Sequence, residues 1–216
     1  MKSHFEILKK ILDEKIVAIV RLDSGEQLVR VAEALNAGGI SVIEFTCSTP
    51  GALDMIKEAS GHFGNEVLIG AGTVLDPETA RAAILAGAEF IVNPAINLDT
   101  IEMCKRYGKP IIAGAMTPTE MLTVWEAGAD LVKVFPVSVI GGAEYIKAVL
   151  APLPQLRLVP TGGVSADNAA QYLKAGAVVV AVGGSLVDKK AVARSDWAAI
   201  TAEAQRLVSV VQSALT

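Results

Sequence analysis

The stretch Ala127-Gly128-Ala129-Asp130-Leu131-Val132-Lys133-Val134-Phe135-Pro136 decides the architecture. Its glycine stands where a helix can end in a left-handed cap, and the valine-rich run after it reads as a short buried strand. The same approach recurs at Ala37-Gly38-Gly39, Ala86-Gly87-Ala88 and Ala175-Gly176-Ala177. Working outward from these four points, strand candidates fall at residues 16–21, 41–46, 67–72, 89–93, 110–114, 131–136, 157–161 and 178–183. A helix-length segment follows each one. Alternating β and α units imply a parallel sheet. The glycine approach precedes every second strand, as four (βα)₂ units would have it. Eight strands in 216 residues favour closure into a (β/α)₈ barrel, a TIM barrel, over the competing open Rossmann-like sheet. An extra N-terminal helix, before the first strand, should close the bottom of the barrel, and residues 195–214 should form the last outer helix. No linker or low-complexity segment interrupts the pattern, so residues 1–216 are expected to form one α/β domain.

Helix starts are legible too. Thr117-Pro118-Thr119-Glu120 reads as a capping box with proline at the first helical position, Ser24-Gly25-Glu26-Gln27 as a second box, and Asp76-Pro77 as a cap followed by proline. The composition fits a barrel. The chain is 52% hydrophobic but only 5% aromatic, so Ala, Val, Ile and Leu must fill the core, as suits parallel strands wrapped by helices. A net charge of −4 leaves no basic footprint for nucleic acid. Mean hydropathy is positive, yet charges and glycines break every apolar run before about 18 residues, so no membrane span is expected. The amphipathic start lacks the long apolar region of a signal peptide. Cys47 and Cys104 do not make a disulfide framework, and the cytoplasm is the expected compartment.

In such a barrel the active site lies at the C-terminal ends of the strands. Of twelve lysines only Lys133 lies inside a strand-like apolar run. A buried ammonium tends to lose its proton, and the neutral amine attacks carbonyls. The alternative is a structural lysine paired with a carboxylate. Glu44, inside Val42-Ile43-Glu44-Phe45-Thr46, is the matching anomaly. Pointing inward it would share a cavity with Lys133 and shuttle protons, or merely neutralise the amine by a salt bridge.

Gly162-Gly163 and Gly183-Gly184-Ser185 end the seventh and eighth strands, where barrels often hold a phosphate on backbone N–H groups. Ser185 would add a hydroxyl donor. Arg21 could bind a carboxylate bidentately or pair with Asp23. Thr73 and Thr161 could donate hydroxyls to substrate or cap the next turn, and Phe135 could cover substrate carbons or pack in the core. His4 and His62 fall in helical or loop segments away from these strand ends, so metal is disfavoured and no cofactor is expected. Cys47 follows the second strand, but without a nearby histidine it is not expected to be a thiolate.

Six stretches, in order along nearly the whole chain, carry a family resemblance. They are Ile16-Val17-Ala18-Ile19-Val20-Arg21, Val42-Ile43-Glu44-Phe45-Thr46 and Gly70-Ala71-Gly72-Thr73-Val74. They continue with Gly114-Ala115-Met116-Thr117-Pro118-Thr119-Glu120, Lys133-Val134-Phe135-Pro136 and Pro160-Thr161-Gly162-Gly163-Val164. The sequence resembles the bacterial class I aldolases acting on 2-keto-3-deoxy-6-phosphogluconate (KDPG) and 4-hydroxy-2-oxoglutarate (KHG). The resemblance implies Lys133 as Schiff-base lysine and Glu44 as proton shuttle. It further implies a pyruvate site of Thr73, Pro94, Phe135 and Thr161, a phosphate site of Gly162, Gly163, Gly184 and Ser185, and a homotrimer. Some members carry an arginine after the second strand, where this chain has Ser48; others place it at the end of the first, as Arg21 does, so Arg21 is assigned to the carboxylate. The rival readings are an aldolase for the galactonate-derived epimer, a sugar-phosphate isomerase or epimerase, and a non-catalytic phospho-sugar-binding barrel.

Overall fold

The computed structural model describes residues 2–23 and 25–215. Eight strands form one parallel sheet: β1 (Ile16–Val20), β2 (Val42–Thr46), β3 (Leu68–Gly72), β4 (Phe90–Val92), β5 (Ile111–Ala115), β6 (Leu131–Val134), β7 (Leu158–Pro160) and β8 (Val180–Val182). Each predicted strand is present, most with ends trimmed by a residue or two, while β5 runs one residue past its predicted end to Ala115. The helices are α1 (His4–Glu14), α2 (Leu28–Ala37), α3 (Ala52–Phe63), α4 (Pro77–Ala86), α5 (Leu98–Arg106), α6 (Pro118–Glu126), α7 (Gly142–Leu150), α8 (Ala169–Lys174), α9 (Lys189–Ala193) and α10 (Trp197–Ser213). The strands follow the order β7-β6-β5-β4-β3-β2-β1-β8. A parallel bridge between Thr161 and Ala181 and a hydrogen bond from Val178 N to the Leu158 carbonyl, 3.1 Å, bring β7 to β8. The sheet is therefore closed into a (β/α)₈ barrel, and the open-sheet alternative falls. No helix among the described residues is long and apolar enough to cross a membrane.

Strand parity divides the buried residues into two cores. Ile16, Ala18 and Val20 on β1, Ile43 and Phe45 on β2, and Val132 and Val134 on β6 belong to the large core beneath the helices. Val17, Ile19, Val42, Leu68, Phe90, Leu131 and Val159 form the second core inside the barrel. Successive side chains on a strand point to opposite faces. Glu44 shares parity with Val42, and Lys133 with Leu131, so both face the interior.

The glycine approaches to β2, β4, β6 and β8 hold left-handed residues at Gly39, Gly87, Gly128 and Gly176. At the first of them Gly38 stays right-handed; it is a glycine because a Cβ there would lie 2.4 Å from the Ala204 Cβ on α10. The boxes at Thr117 and the cap at Asp76 form as expected. The box read at Ser24 lies outside the described residues; α2 begins at Leu28, with Gln27 at its N-cap and no side-chain cap.

Helix α1 plugs the bottom. Ile7 and Ile11 join the inner core. The polar face of this segment is tied to loops that precede strands: Lys2 to Glu89 at 3.0 Å, Lys10 to the Glu66 carbonyl at 2.6 Å, His4 to Asp130 at 2.6 Å, and Glu14 to the Ser41 hydroxyl at 2.7 Å. The N-terminal end is thus sealed with side chains, and only the C-terminal end is left for chemistry.

Candidate active site

Glycines hollow out the upper barrel. At Gly72, on the inward face of β3, a Cβ would stand 2.3 Å from Oε1 of Glu44. At Gly114, on the inward face of β5, a Cβ would lie 2.2 Å from the Pro94 carbonyl carbon, so the backbone after β4 leans over β5 where a side chain would otherwise stand. Gly114 is the Cα partner of Lys133, which places Pro94 beside the lysine strand. Asn93 fixes this arrangement by accepting a hydrogen bond from Gly114 N at 2.8 Å. Gly72→Ala is expected to push the Glu44 carboxylate aside and lower turnover, at a stability cost of about 1–3 kcal/mol; steady-state rates and thermal unfolding check this, and unchanged rates would free Glu44 from any role.

Lys133 is 4% exposed and Glu44 only 1%. Among the described residues neither makes an ion pair, and Glu44 Oε1 has no hydrogen-bond partner. The simple salt-bridge alternative is therefore absent. Burial is the largest influence on both groups. It pushes the Lys133 amine below its ordinary value, reinforced by the Arg21 charge and opposed by Glu44. It pushes the Glu44 carboxyl up, against the pull of Lys133 and Arg21. Each group moves toward its neutral form. The Lys133 Nζ also lies 5.3 Å from the centre of the Phe135 ring.

A cavity of about 610 Å³ opens at the mouth, lined by Ile19, Arg21, Phe135 and Thr161 on one side and by the glycine-rich ends of β7 and β8 on the other. Lys133 and Glu44 are not in its lining. Lys133 lies one inward position deeper than Phe135 on the same strand, and Glu44 is the Cα partner of Ile19. The amine thus lies deeper in the barrel than Phe135, the lining residue whose ring centre is 5.3 Å from Nζ.

The other sequence-stretch candidates gather at this mouth. Arg21 Nη2 donates to Thr73 Oγ1 at 3.3 Å. Its alternative partner Asp23 is taken by Lys189, at 2.6 Å. Thr73 holds a left-handed backbone, φ 55°, which a β-branched residue adopts only under strain. Thr161 is buried and donates to the Val159 carbonyl at 3.2 Å. Gly162 and Gly163 are both left-handed, with φ of 87° and 81°. Among the described residues, no acceptor takes the backbone N–H groups of Gly163, Gly184 and Ser185. The Ser185 hydroxyl was expected to be a free donor; it is instead spent on the Val164 carbonyl at 2.7 Å, where it ties the β7 and β8 loops together.

The histidines are remote from this mouth, His4 on Asp130 and His62 on Glu33 at 3.1 Å. Burial, with Glu44 nearby, pushes the Cys47 thiol up to about 11, so it is no thiolate. Sequence reasoning missed Ser165, Asp188 and Lys189 in the lining. The signal was the Asp188 cap that starts α9 three residues after Ser185.

The family model for KDPG and KHG aldolases matches residues 7–203. The chain belongs to that family. A 2-dehydro-3-deoxy-phosphogluconate aldolase of Treponema pallidum (strain Nichols) is 35% identical over 98% of this chain and 99% of its own. Among solved structures, one described as native KDPGal is 31% identical with a TM-score of 0.86, covering 93% of this chain and 95% of that one. A KDPG aldolase from Legionella pneumophila, holding pyruvate as a covalent carbinolamine, is 28% identical with a TM-score of 0.86, covering 93% and 97%. The six stretches that carry the resemblance all lie within or across the matched aldolase region, and the barrel is the one its relatives share.

Proposed function

We propose that this family member is a class I aldolase that cleaves 2-keto-3-deoxy-6-phosphogluconate to pyruvate and glyceraldehyde 3-phosphate, and accepts 4-hydroxy-2-oxoglutarate as well. The observation that carries this reading is the inward-facing pair Lys133 and Glu44, each shifted toward its neutral form by burial. A neutral amine and a protonated carboxylic acid are the forms needed to start the reaction.

The Lys133 amine adds to the keto carbon to give a carbinolamine. Glu44 gives its proton to the departing hydroxyl, water leaves, and the iminium forms. Glu44, now a carboxylate, takes the proton of the C4 hydroxyl. The C3–C4 bond breaks, its electrons pass into the iminium to give an enamine, and the aldehyde departs. Glu44 returns the proton to C3, and hydrolysis frees pyruvate and Lys133. The Phe135 ring near Nζ favours the cationic iminium. In this reading Arg21 and Thr73 hold the substrate carboxylate, while Pro94, Phe135 and Thr161 surround the pyruvate carbons. The amides around Gly162, Gly163, Gly183, Gly184 and Ser185 take the phosphate. No cofactor or metal enters any step. A cytoplasmic homotrimer, each chain one domain, completes the reading.

A second reading, cleavage of the galactonate-derived epimer, is favoured by the likeness to the native KDPGal structure. Side-by-side assays of pyruvate release from the gluconate-derived, galactonate-derived and hydroxyoxoglutarate acids test both. The expected result is fastest release from the gluconate-derived acid; preference for its epimer would establish the second reading, and release from none would overturn both.

A further inference from the structure

Backbone amides alone supply hydrogen bonds but no full positive charge to a phosphate dianion. The side chains around the glycine-rich ends show where that charge can come from. Arg21 is turned toward Thr73. Asp188 accepts from Lys190 N at 2.9 Å and so is occupied in capping α9. Lys189, four residues after Ser185, is the second cation among the described residues that line the cavity, and it stands on the glycine-rich side. Its ammonium is held by Asp23, on the loop after β1, at 2.6 Å, with side chains 56% and 88% exposed. An exposed pair of this kind contributes little to stability, so Lys189 can change partners at little cost. A phosphate monoester carries about −1.5 to −2 charges near neutral pH, against one on Asp23, and would win the ammonium.

The geometry points to Lys189 as the phosphate-binding cation of this site, kept at the cavity by Asp23 until substrate arrives, and thereby as the residue that selects keto acids with a terminal phosphate over shorter unphosphorylated ones. The inference rests on the proposed phosphate subsite and names its charge.

Steady-state cleavage of the phosphorylated acid and of 4-hydroxy-2-oxoglutarate tests it, with inorganic phosphate as a competing probe. Lys189→Ala is expected to lose about tenfold to a hundredfold in kcat/KM for the phosphorylated acid, the range of a charge-assisted hydrogen bond. The loss should fall mainly in KM, should exceed that for 4-hydroxy-2-oxoglutarate, and should come with weaker inhibition by inorganic phosphate. Lys189→Arg should recover most of it. Lys190→Ala, which removes the same charge one residue along, should match the unmodified enzyme. Asp23→Asn should tighten inhibition by inorganic phosphate, and no change there would remove Asp23 from the device. Equal losses for both acids, no loss for either, or the same effect from Lys190→Ala would overturn the assignment. Should the unmodified enzyme show neither preference for the phosphorylated acid nor inhibition by inorganic phosphate, the phosphate subsite itself falls instead.

Discussion

Lys133→Ala is expected to show no turnover above background while remaining a folded barrel, because the variant has no amine to form the covalent intermediate. Lys133→Met separates the chemistry from the packing. Methionine keeps an unbranched apolar stem at the inward position and drops the charge. Among the described residues Lys133 has no ion-pair or hydrogen-bond partner to orphan, so Lys133→Met should unfold within a few degrees of the unmodified protein, where about 2–4 °C corresponds to 1 kcal/mol in a domain of this size. The pH dependence gives a second readout. In the unfolded chain Lys133 keeps its ordinary value of 10.5, and in the fold that value is lowered. Between the two, the unfolded state binds the extra proton, so stability rises with pH. This contribution is complete above 10.5 and is lost as pH falls through the folded value. The stability difference between unmodified protein and Lys133→Met should therefore grow with rising pH, by at most about 1.4 kcal/mol per pH unit. A flat difference would mean that the amine stays charged in the fold.

Glu44→Gln is expected to lower kcat by about 10²–10⁴-fold, the usual contribution of a general acid and base. Glutamine preserves the volume beside Gly72 but can neither give nor take a proton. Glu44 also has a linkage of opposite sign. Its folded value is raised, so the fold binds the extra proton, and its contribution is present below the ordinary value of 4.5 and lost as pH rises through the folded value. Glu44→Gln should accordingly lose less stability than the unmodified protein as pH climbs above 4.5. An unchanged kcat would reduce Glu44 to a space-filling role.

The barrel was legible because its signals are local. A glycine that must adopt positive φ, such as Gly128, marks a helix end whatever lies around it, and a run such as Leu131-Val132-Lys133-Val134 alternates faces by backbone geometry alone. That alternation left open which face Lys133 and Glu44 take; the division of their neighbours between the two cores decides it. The departures arise where tertiary contacts decide. Gly38 was read as a cap, but its lack of a side chain answers to α10, which is distant in sequence. The Ser185 hydroxyl could not be known to be spent, since its acceptor, Val164, lies on another strand's loop. Gly72 and Gly114 carry no local signal of their own. Their part in making room for Glu44 and for the Pro94 backbone depends on cross-strand register. Lys189 was hidden for the opposite reason: an exposed lysine beside a second lysine carries no signal until the cavity is seen to reach it.

The most direct measurement is borohydride reduction in the presence of pyruvate, followed by intact and peptide mass. A single reduced pyruvate adduct on the peptide carrying Lys133, missing from Lys133→Met, is the expected result. A protein that releases pyruvate from a keto acid yet forms no adduct, or forms it on another lysine, would contradict the claim that this buried amine is the nucleophile.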